Sequence, residues 1–247
     1  MKSKMIAIGL VIVLLLGMCN YDKYFVEVAK AKSMEEQIKI ITANKKLWIE
    51  TNTDLSPWDM HYAVTDLNQD GRLELIVTTG SIGSGHFTFT DFYQVDPEQE
   101  SLISCKAFRT PDYALPDLCV EHCNVYIDAS KNTYQYLFYD YINGGMGKVG
   151  KDQIFLTISD NSININSIRG TYGVFNAKKN KRMVKNYYKY VKGKQKDTTK
   201  KGYKKAMKDA IKNKTCKKAS FTWVRLKKKD KDYTKKLIKS YEGFLLS

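Results

Sequence analysis

The chain of 247 residues has little proline, glycine and histidine: four prolines, 15 glycines and three histidines. So few prolines and glycines exclude a collagen-like or proline-rich chain. Hydrophobic residues make up 43% of the sequence and aromatic residues 12%, which is enough apolar material for a core and excludes a wholly disordered polymer. The sequence also lacks G-x-S-x-G and H-E-x-x-H motifs, so no recognised catalytic pattern is present.

Long apolar runs are also missing. The run from Met5 to Met18 has 14 residues, whereas a membrane-spanning helix needs roughly 20. Lys2 and Lys4 precede this run, and a short apolar segment behind a basic start is the layout of a secretory signal. We therefore predict that residues 1–32 form a signal peptide or an anchor region and that the protein is exported.

The sequence does not determine how this N-terminal segment is processed. Leu16, Gly17, Met18 and Cys19 resemble a bacterial lipobox, in which Cys19 is lipidated and becomes the new N-terminus, although Met18 departs from the small residue expected there. An A-x-A site for ordinary signal peptidase is present at 29–31. The third alternative is an uncleaved N-terminal membrane anchor. Attachment to the membrane and plain secretion are both compatible with these features.

Four cysteines remain after Cys19, namely Cys105, Cys119, Cys123 and Cys216. In an exported protein these predict disulfides or free thiols, and the sequence does not choose among the three possible pairings. One candidate arrangement joins Cys119 to Cys123 and Cys105 to Cys216. The alternative is a zinc site made by Cys119, His122, Cys123 and Cys105, although no second paired motif completes a familiar zinc pattern.

We treat residue 33 to the C-terminus as one domain. Within it, three segments with different patterns of apolar residues follow one another. Ser33 and Glu36 form a capping box that predicts a helix over 33–51. Residues 60–175 alternate between apolar and polar in short runs, which predicts an antiparallel sheet of about seven strands. Residues 176–247 show apolar stripes at helical spacing around Met183, Tyr203 and Tyr233, with one late strand at 221–226. The predicted fold class is therefore α+β, with lysine-rich C-terminal helices.

The segment from Asp66 to Glu74 is the one motif that carries chemistry. Its side-chain oxygens recur at alternate positions, and Gly71 follows at the sixth, as in the first half of a calcium loop. Position 12, where an EF-hand has a bidentate glutamate, is Val77, and both flanks are strand-like. An EF-hand is therefore excluded. The alternative without an ion is an acidic β-turn, because Asp, Asn and Gly are common turn residues.

The stretch from Tyr62 to Val77 resembles the D-x-[DN]-x-[DN]-G-x-x-[DE] loop of FG-GAP or integrin-α repeats. That resemblance implies a structural calcium ion held between two strands, with ligands supplied by Asp66, Asn68, Asp70, the Arg72 carbonyl and Glu74. Because one copy is present, the propeller fold of that family is not implied. More widely, this stretch, the aromatic residues 87–93 and residues 221–223 resemble uncharacterised exported proteins and lipoproteins of Firmicutes.

Charge is divided very unevenly along the chain, whose formal net charge is +15. Residues 1–150 carry 13 basic and 19 acidic side chains, whereas residues 151–247 carry 28 basic and 7 acidic ones. Nearly all the basic residues of the second part are lysines, and specific base recognition favours arginine, so nucleic acid is an unlikely partner. An anionic membrane surface or wall polymer is the candidate partner. The alternative is a solvated surface without a partner.

The sequence thus favours a non-enzymatic binding or surface-interaction protein that is exported, attached to the membrane and stabilised by calcium. The rival class is an extracytoplasmic hydrolase acting on cell-wall or glycan material, with Asp91, Asp140 and Glu121 as candidate carboxylates. An enzyme should bring titratable groups together in a cleft, which the tertiary structure can test.

Overall fold

A computed structural model describes residues 32–55, 59–79, 88–110, 116–143, 148–159 and 161–247. The predicted signal sequence, with Cys19 and both predicted cleavage sites, lies outside the described residues. Ser33–Ser247 forms one compact unit. None of the helices in the part of the chain that the structure describes is long and apolar enough to cross a membrane.

The described chain begins with a helical segment. Helix α1 (Met34–Ala43) starts at the predicted capping box, because the Ser33 hydroxyl accepts a hydrogen bond from the Glu36 N–H and the Glu36 carboxylate accepts one from the Ser33 N–H. A π-helical turn (Lys46–Glu50) and the short helix α2 (Thr51–Leu55) continue it. Two further α-helices, α3 (Lys200–Ala210) and α4 (Tyr233–Glu242), lie near the C-terminus.

Thirteen strands make up most of the described fold. Their bounds are β1 Met60–Thr65, β2 Glu74–Thr79, β3 Thr90–Val95, β4 Leu102–Thr110, β5 His122–Asp128, β6 Thr133–Asn143, β7 Lys148–Ser159, β8 Ser162–Asn176, β9 Lys181–Val191, β10 Lys194–Thr198, β11 Thr215–Ser220, β12 Val224–Arg225 and β13 Leu245–Leu246.

The strands form two connected sheets that share strand β4. The first has the order β12-β1-β2-β3-β4, and the second the order β4-β8-β7-β6-β5-β11-β13. Residues 102–105 of β4 pair antiparallel with β3, and residues 106–110 pair in parallel with the start of β8. The later part of β8 pairs instead with β9, which continues into the β9–β10 hairpin.

Hydrophobic clusters show how the layers stack. Alternate residues of the first sheet, such as Leu75 and Val77, pack against α1, the π-helical turn and α4. The residues between them, such as Ile76, pack against the second sheet in a core that includes Tyr136 and Ile154. The far face of the second sheet is covered by Met207 of α3. The order of layers is therefore helices, sheet, sheet, helix.

The predicted α+β fold with a seven-stranded antiparallel sheet is wrong. The described chain is mostly strand, and its sheet is mixed because β4 and β8 run in parallel. The prediction failed chiefly at residues 181–198, where Met183, Tyr187 and Val191 have helical spacing but lie on strand β9. Lys192 and Gly193, both with positive φ, form the two-residue turn of the hairpin that follows.

The late strand predicted at 221–226 is confirmed only at Val224–Arg225, which form β12. Residues 221–223 lie between β11 and β12 rather than in a strand, although Phe221 and Trp223 pack against the core between the sheets. The last two predicted helices are confirmed as α3 and α4. Both carry their apolar side chains on one face, and that face lies against a sheet.

Candidate metal site

The predicted calcium loop connects two antiparallel strands. Strand β1 ends at Thr65 and β2 begins at Glu74, and these two residues are directly paired across the ladder. Gln69 and Gly71 have positive φ values of 56° and 82°, so the chain reverses through two left-handed residues. The strand–loop–strand setting expected from the sequence is confirmed.

The loop brings three carboxylates together. Asp66, Asp70 and Glu74 each offer one oxygen, and these oxygens all lie within 4.8 Å of one another. Calcium binds oxygen at roughly 2.3–2.6 Å, so two ligand oxygens of one ion are separated by at most about 5 Å. Among the described residues this is the single group of three or more His, Cys, Asp or Glu side chains with such spacing.

Asp66 organises the backbone of the loop. Its Oδ1 accepts the Asp70 N–H at 3.1 Å and its Oδ2 accepts the Gly71 N–H at 3.2 Å. The side chain of Gln69 donates to the Asp66 carbonyl at 2.5 Å. Each Asp66 oxygen accepts one of these hydrogen bonds and has a lone pair left for a further donor or ion.

Asp70 lies at the exposed side of the cluster and already forms an ion pair with Arg72. The Arg72 guanidinium donates to Asp70 Oδ2 from Nη2 at 2.9 Å and from Nε at 3.1 Å. Asn68 Nδ2 donates to the same oxygen at 2.8 Å. Asn68 thus donates from its amide nitrogen to the Asp70 carboxylate, while its Oδ1 accepts the Asp70 N–H at 3.4 Å.

Glu74 is the buried end of the cluster, with 1% of its surface exposed. Its Oε2 accepts the Leu67 N–H at 2.7 Å and the Thr65 hydroxyl at 3.2 Å, and its Oε1 accepts from Gln94 Nε2 at 3.0 Å. Burial raises the pKa of Glu74 well above its usual range, despite the hydrogen bond from Leu67.

Asp66 is also buried and therefore partly removed from water. Burial, reinforced by the neighbouring Asp70 charge, raises the pKa of Asp66 to about 6. Within the described part of the chain, no lysine or arginine forms an ion pair with Asp66 or Glu74. Two buried acids without a basic partner are costly when ionised, and a bound divalent cation would remove that cost.

Three residues outside the motif hold the loop in place, and sequence reasoning missed all three. Gln37 of α1 donates from Nε2 to the Gly71 carbonyl at 2.7 Å and accepts the Leu73 N–H on Oε1 at 2.9 Å. The Tyr136 hydroxyl of β6 donates to the Leu67 carbonyl at 2.7 Å. Gln94 supports Glu74 from β3. The sequence did contain a signal for Gln37, since it is a polar residue that borders the apolar stripe of α1.

The cysteines are free thiols in this structure. Cys105 and Cys123 are buried between the sheets, and burial raises the pKa of each to about 12. Cys216 is exposed and pairs in register with Tyr126, whose ring packs on the opposite face of the second sheet. Cys105 and Cys216 thus lie on different sides of that sheet, which disfavours joining them. Disulfide formation itself stays a prediction.

The zinc alternative gains no support, because the described structure brings no group of cysteines and histidines to a common point. The candidate hydrolase carboxylates are also dispersed. Asp91 lies on β3 of the first sheet and Glu121 is exposed before β5. Asp140 is buried on β6 and accepts a hydrogen bond from Arg109 Nη2 at 2.5 Å. These three residues therefore do not form one site.

No protein-family model, no curated protein and no solved structure matches this chain.

Proposed function

We propose that this chain is an exported, membrane-attached, non-enzymatic binding protein in which the loop 66–74 holds one structural calcium ion. One observation carries the calcium assignment. Asp66, Asp70 and Glu74 converge within 4.8 Å, and the two buried members have no basic partner among the described residues. A set of oxygen donors without sulfur or nitrogen suits a hard cation such as calcium.

The residues fit the ion in a definite way. The carboxylates of Asp66, Asp70 and Glu74 would supply the charged ligands, and the Arg72 carbonyl and Asn68 would add neutral oxygens after the Asn68 amide turns over. Gln94 Oε1 is a further buried oxygen next to Glu74, and it has no hydrogen-bond partner in the described structure. Calcium would compete with the Arg72 guanidinium for Asp70.

A structural role follows from how the loop is held. Gln37, Gln94 and Tyr136 connect it to α1, β3 and β6 respectively. These elements belong to both hydrophobic layers of the fold. An ion in the loop would therefore strengthen a junction between the helices and the two sheets, and it would stabilise the whole unit.

Calcium titration by calorimetry on residues 33–247 tests the assignment. Saturation near one ion per chain, lost in Asp66→Ala/Asp70→Ala, is expected. The matched control is Asp96→Asn, because Asp96 caps another acidic turn through Glu100 and Ser101 without a carboxylate cluster. Absence of heat at millimolar calcium, or equal loss in the control, would reduce the loop to an acidic turn.

The binding role is assigned to the lysine-rich face formed by α3 and the β9–β10 hairpin. Helix α3 packs on β8, β9 and β10, so its exposed lysines lie beside those of the hairpin. Asp197 and Asp209 are the acids within these two elements, and Asp209 is already paired with Lys205. An anionic membrane surface is the partner that this excess charge suits, since each lysine near it contributes about 1 kcal/mol.

A further inference from the structure

A cleft of about 300 Å³ opens on the second sheet, away from the calcium loop. Its lining includes Asp117, His122, Asn124, Tyr139, Tyr141 and Lys218. The volume lies at the lower end of the range for small-molecule sites.

The strand pleat explains why aromatic rings face this cleft. Along β6, Tyr136 and Phe138 point into the core between the sheets, and Leu137 points to the opposite face. Side chains alternate along a strand, so Tyr139 and Tyr141 share the outer face with Leu137. They are 36% and 44% exposed. Two large rings in a row at the surface are available for stacking.

Lys151 adds positive charge at the same place. It pairs directly with Tyr141 across the β6–β7 ladder. Its Nζ lies 4.0 Å from the centroid of the Tyr139 ring and 5.0 Å from that of Tyr141. The lysine therefore covers one side of the tyrosine pair through a cation–π contact. Among the described ion pairs, none involves Lys151 or Lys218.

The polar groups of the cleft are partly preorganised. His122 Nδ1 lies 3.0 Å from Ser220 Oγ on the paired strand β11, which fixes the imidazole ring and leaves Nε2 for a ligand. Asp117 Oδ1 accepts the Cys119 N–H at 3.1 Å, and residue 117 bridges to Tyr139 through the backbone. Together with the Asn124 amide, these groups supply both donors and acceptors.

We infer that this cleft binds an acidic saccharide chain. A pyranose ring has an apolar C–H face that can pack on a tyrosine ring, and its hydroxyls need the amide, imidazole and carboxylate groups found beside Tyr139 and Tyr141. Among the lining residues Lys218 balances Asp117, and Lys151, which lies over the Tyr139 and Tyr141 rings, adds a further positive charge, so charge complementarity selects a sugar that bears carboxylates. The inference is independent of calcium binding, because none of the loop residues lines the cleft.

The test uses the full chain in a polyoxyethylene detergent, which contains no sugar. The probes are a hyaluronan tetrasaccharide, which alternates glucuronate with N-acetylglucosamine, and neutral chitotetraose. We expect saturable binding of the acidic tetrasaccharide by calorimetry, weaker binding of the neutral one, and at least about a tenfold loss of affinity in Tyr141→Leu. Tyr139→Leu should behave in the same way.

The matched control is Phe175→Leu, which removes a ring that is 47% exposed on β8 outside the cleft. It should keep wild-type affinity, and thermal melts confirm that each variant folds. Binding of neither tetrasaccharide would overturn the inference. It would also fail if the neutral sugar bound as well as the acidic one, or if Phe175→Leu lost as much affinity as Tyr141→Leu. Displacement by equimolar sulfate would likewise reduce the interaction to simple charge attraction.

Discussion

Gly170 lies directly across from Asp152 in the β7–β8 ladder, and a Cβ at position 170 would come within 2.1 Å of Asp152 Oδ1. The missing side chain makes room for Tyr188 of β9, whose hydroxyl donates to Asp152 Oδ1. The Tyr190 hydroxyl donates to Asp152 Oδ2 at 2.6 Å. A buried carboxylate therefore links three neighbouring strands because the middle one has a glycine at this point.

Gly170→Ala should be strongly destabilising. The new methyl group would overlap both Asp152 and the Tyr188 ring, and overpacking of this kind costs about 1–3 kcal/mol. Urea denaturation measures the change in the free energy of unfolding. Gly202→Ala is the comparison, since its Cβ would meet the side chain of Thr198 alone, with a single short contact of 2.1 Å to Oγ1 that a rotation of this side chain relieves, and alanine favours the helix. Equal effects of the two substitutions would contradict this account.

Asp152→Asn should change how stability depends on pH. Burial, partly offset by the two tyrosine hydrogen bonds, raises the pKa of Asp152 above its usual 3.8. The folded state therefore holds this proton to higher pH than the unfolded chain does, and the stability that protonation contributes is lost as pH rises from about 3.8 through the raised value. Asparagine stays neutral throughout.

The melting temperature of Asp152→Asn relative to wild type should accordingly rise between pH 4 and pH 8. Thermal melts at several pH values give this difference directly. A difference that stays constant across the range would mean that Asp152 titrates equally in the folded and unfolded states.

Arg109 and Asp140 form an ion pair in the same buried region, and their side chains are 2% and 10% exposed. Arg109→Met would leave the Asp140 carboxylate without this partner, at a cost of about 3–5 kcal/mol at neutral pH. Adding Asp140→Leu should recover most of that loss, because an apolar pair needs no charge compensation. Denaturation of the single and double variants measures both effects, and a double variant no better than the single one would refute the pairing argument.

Gln37→Ala should loosen loop 66–74 from helix α1. The Leu73 N–H would lose its side-chain acceptor, and a buried unsatisfied donor costs about 1–3 kcal/mol. The variant should therefore melt below wild type both with and without calcium. Gln195→Ala, at an exposed position of the hairpin, is the control and should leave the melting temperature unchanged. Equal melting of Gln37→Ala and wild type would show that α1 does not support the loop.

Charge reversal tests the membrane-facing role of the lysine face. Lys185→Glu/Lys196→Glu/Lys204→Glu should reduce co-sedimentation of residues 33–247 with phosphatidylglycerol vesicles and leave the weak binding to phosphatidylcholine vesicles unchanged. Lys227→Glu/Lys229→Glu/Lys231→Glu is the control, because these residues precede α4 on the opposite outer layer. Equal losses in both sets would indicate net charge rather than a defined face.

Several elements were predictable because their determinants are local. The capping box at Ser33, the apolar stripes of α3 and α4, and the alternation of Leu75 with Val77 each reflect neighbouring residues. The acidic loop was predictable for the same reason, since its carboxylates are close in sequence. What supports the loop was not predictable, because Gln37, Gln94 and Tyr136 come from distant elements.

The β9–β10 hairpin shows where local pattern misleads. The four-residue spacing of its apolar side chains is typical of a helix, yet β9 pairs with β8, and Tyr188 is buried against Asp152. A strand gains its hydrogen bonds from a partner that may be far away in sequence, whereas a helix makes its own. Spacing alone therefore could not identify the partner that decides the structure of this segment.

The sequence by itself determined the apolar periodicity, the start of helix α1, the charge asymmetry and the spacing of the oxygen-bearing side chains in loop 66–74. The tertiary structure decided that β2 is buried on both faces, between the helices and the second sheet. It also decided that Asp66 and Glu74 are buried and that the β6 tyrosines line a cleft. Burial and nonlocal strand pairing depend on which layers stack together, and that information is distributed over the whole chain rather than held in any one segment.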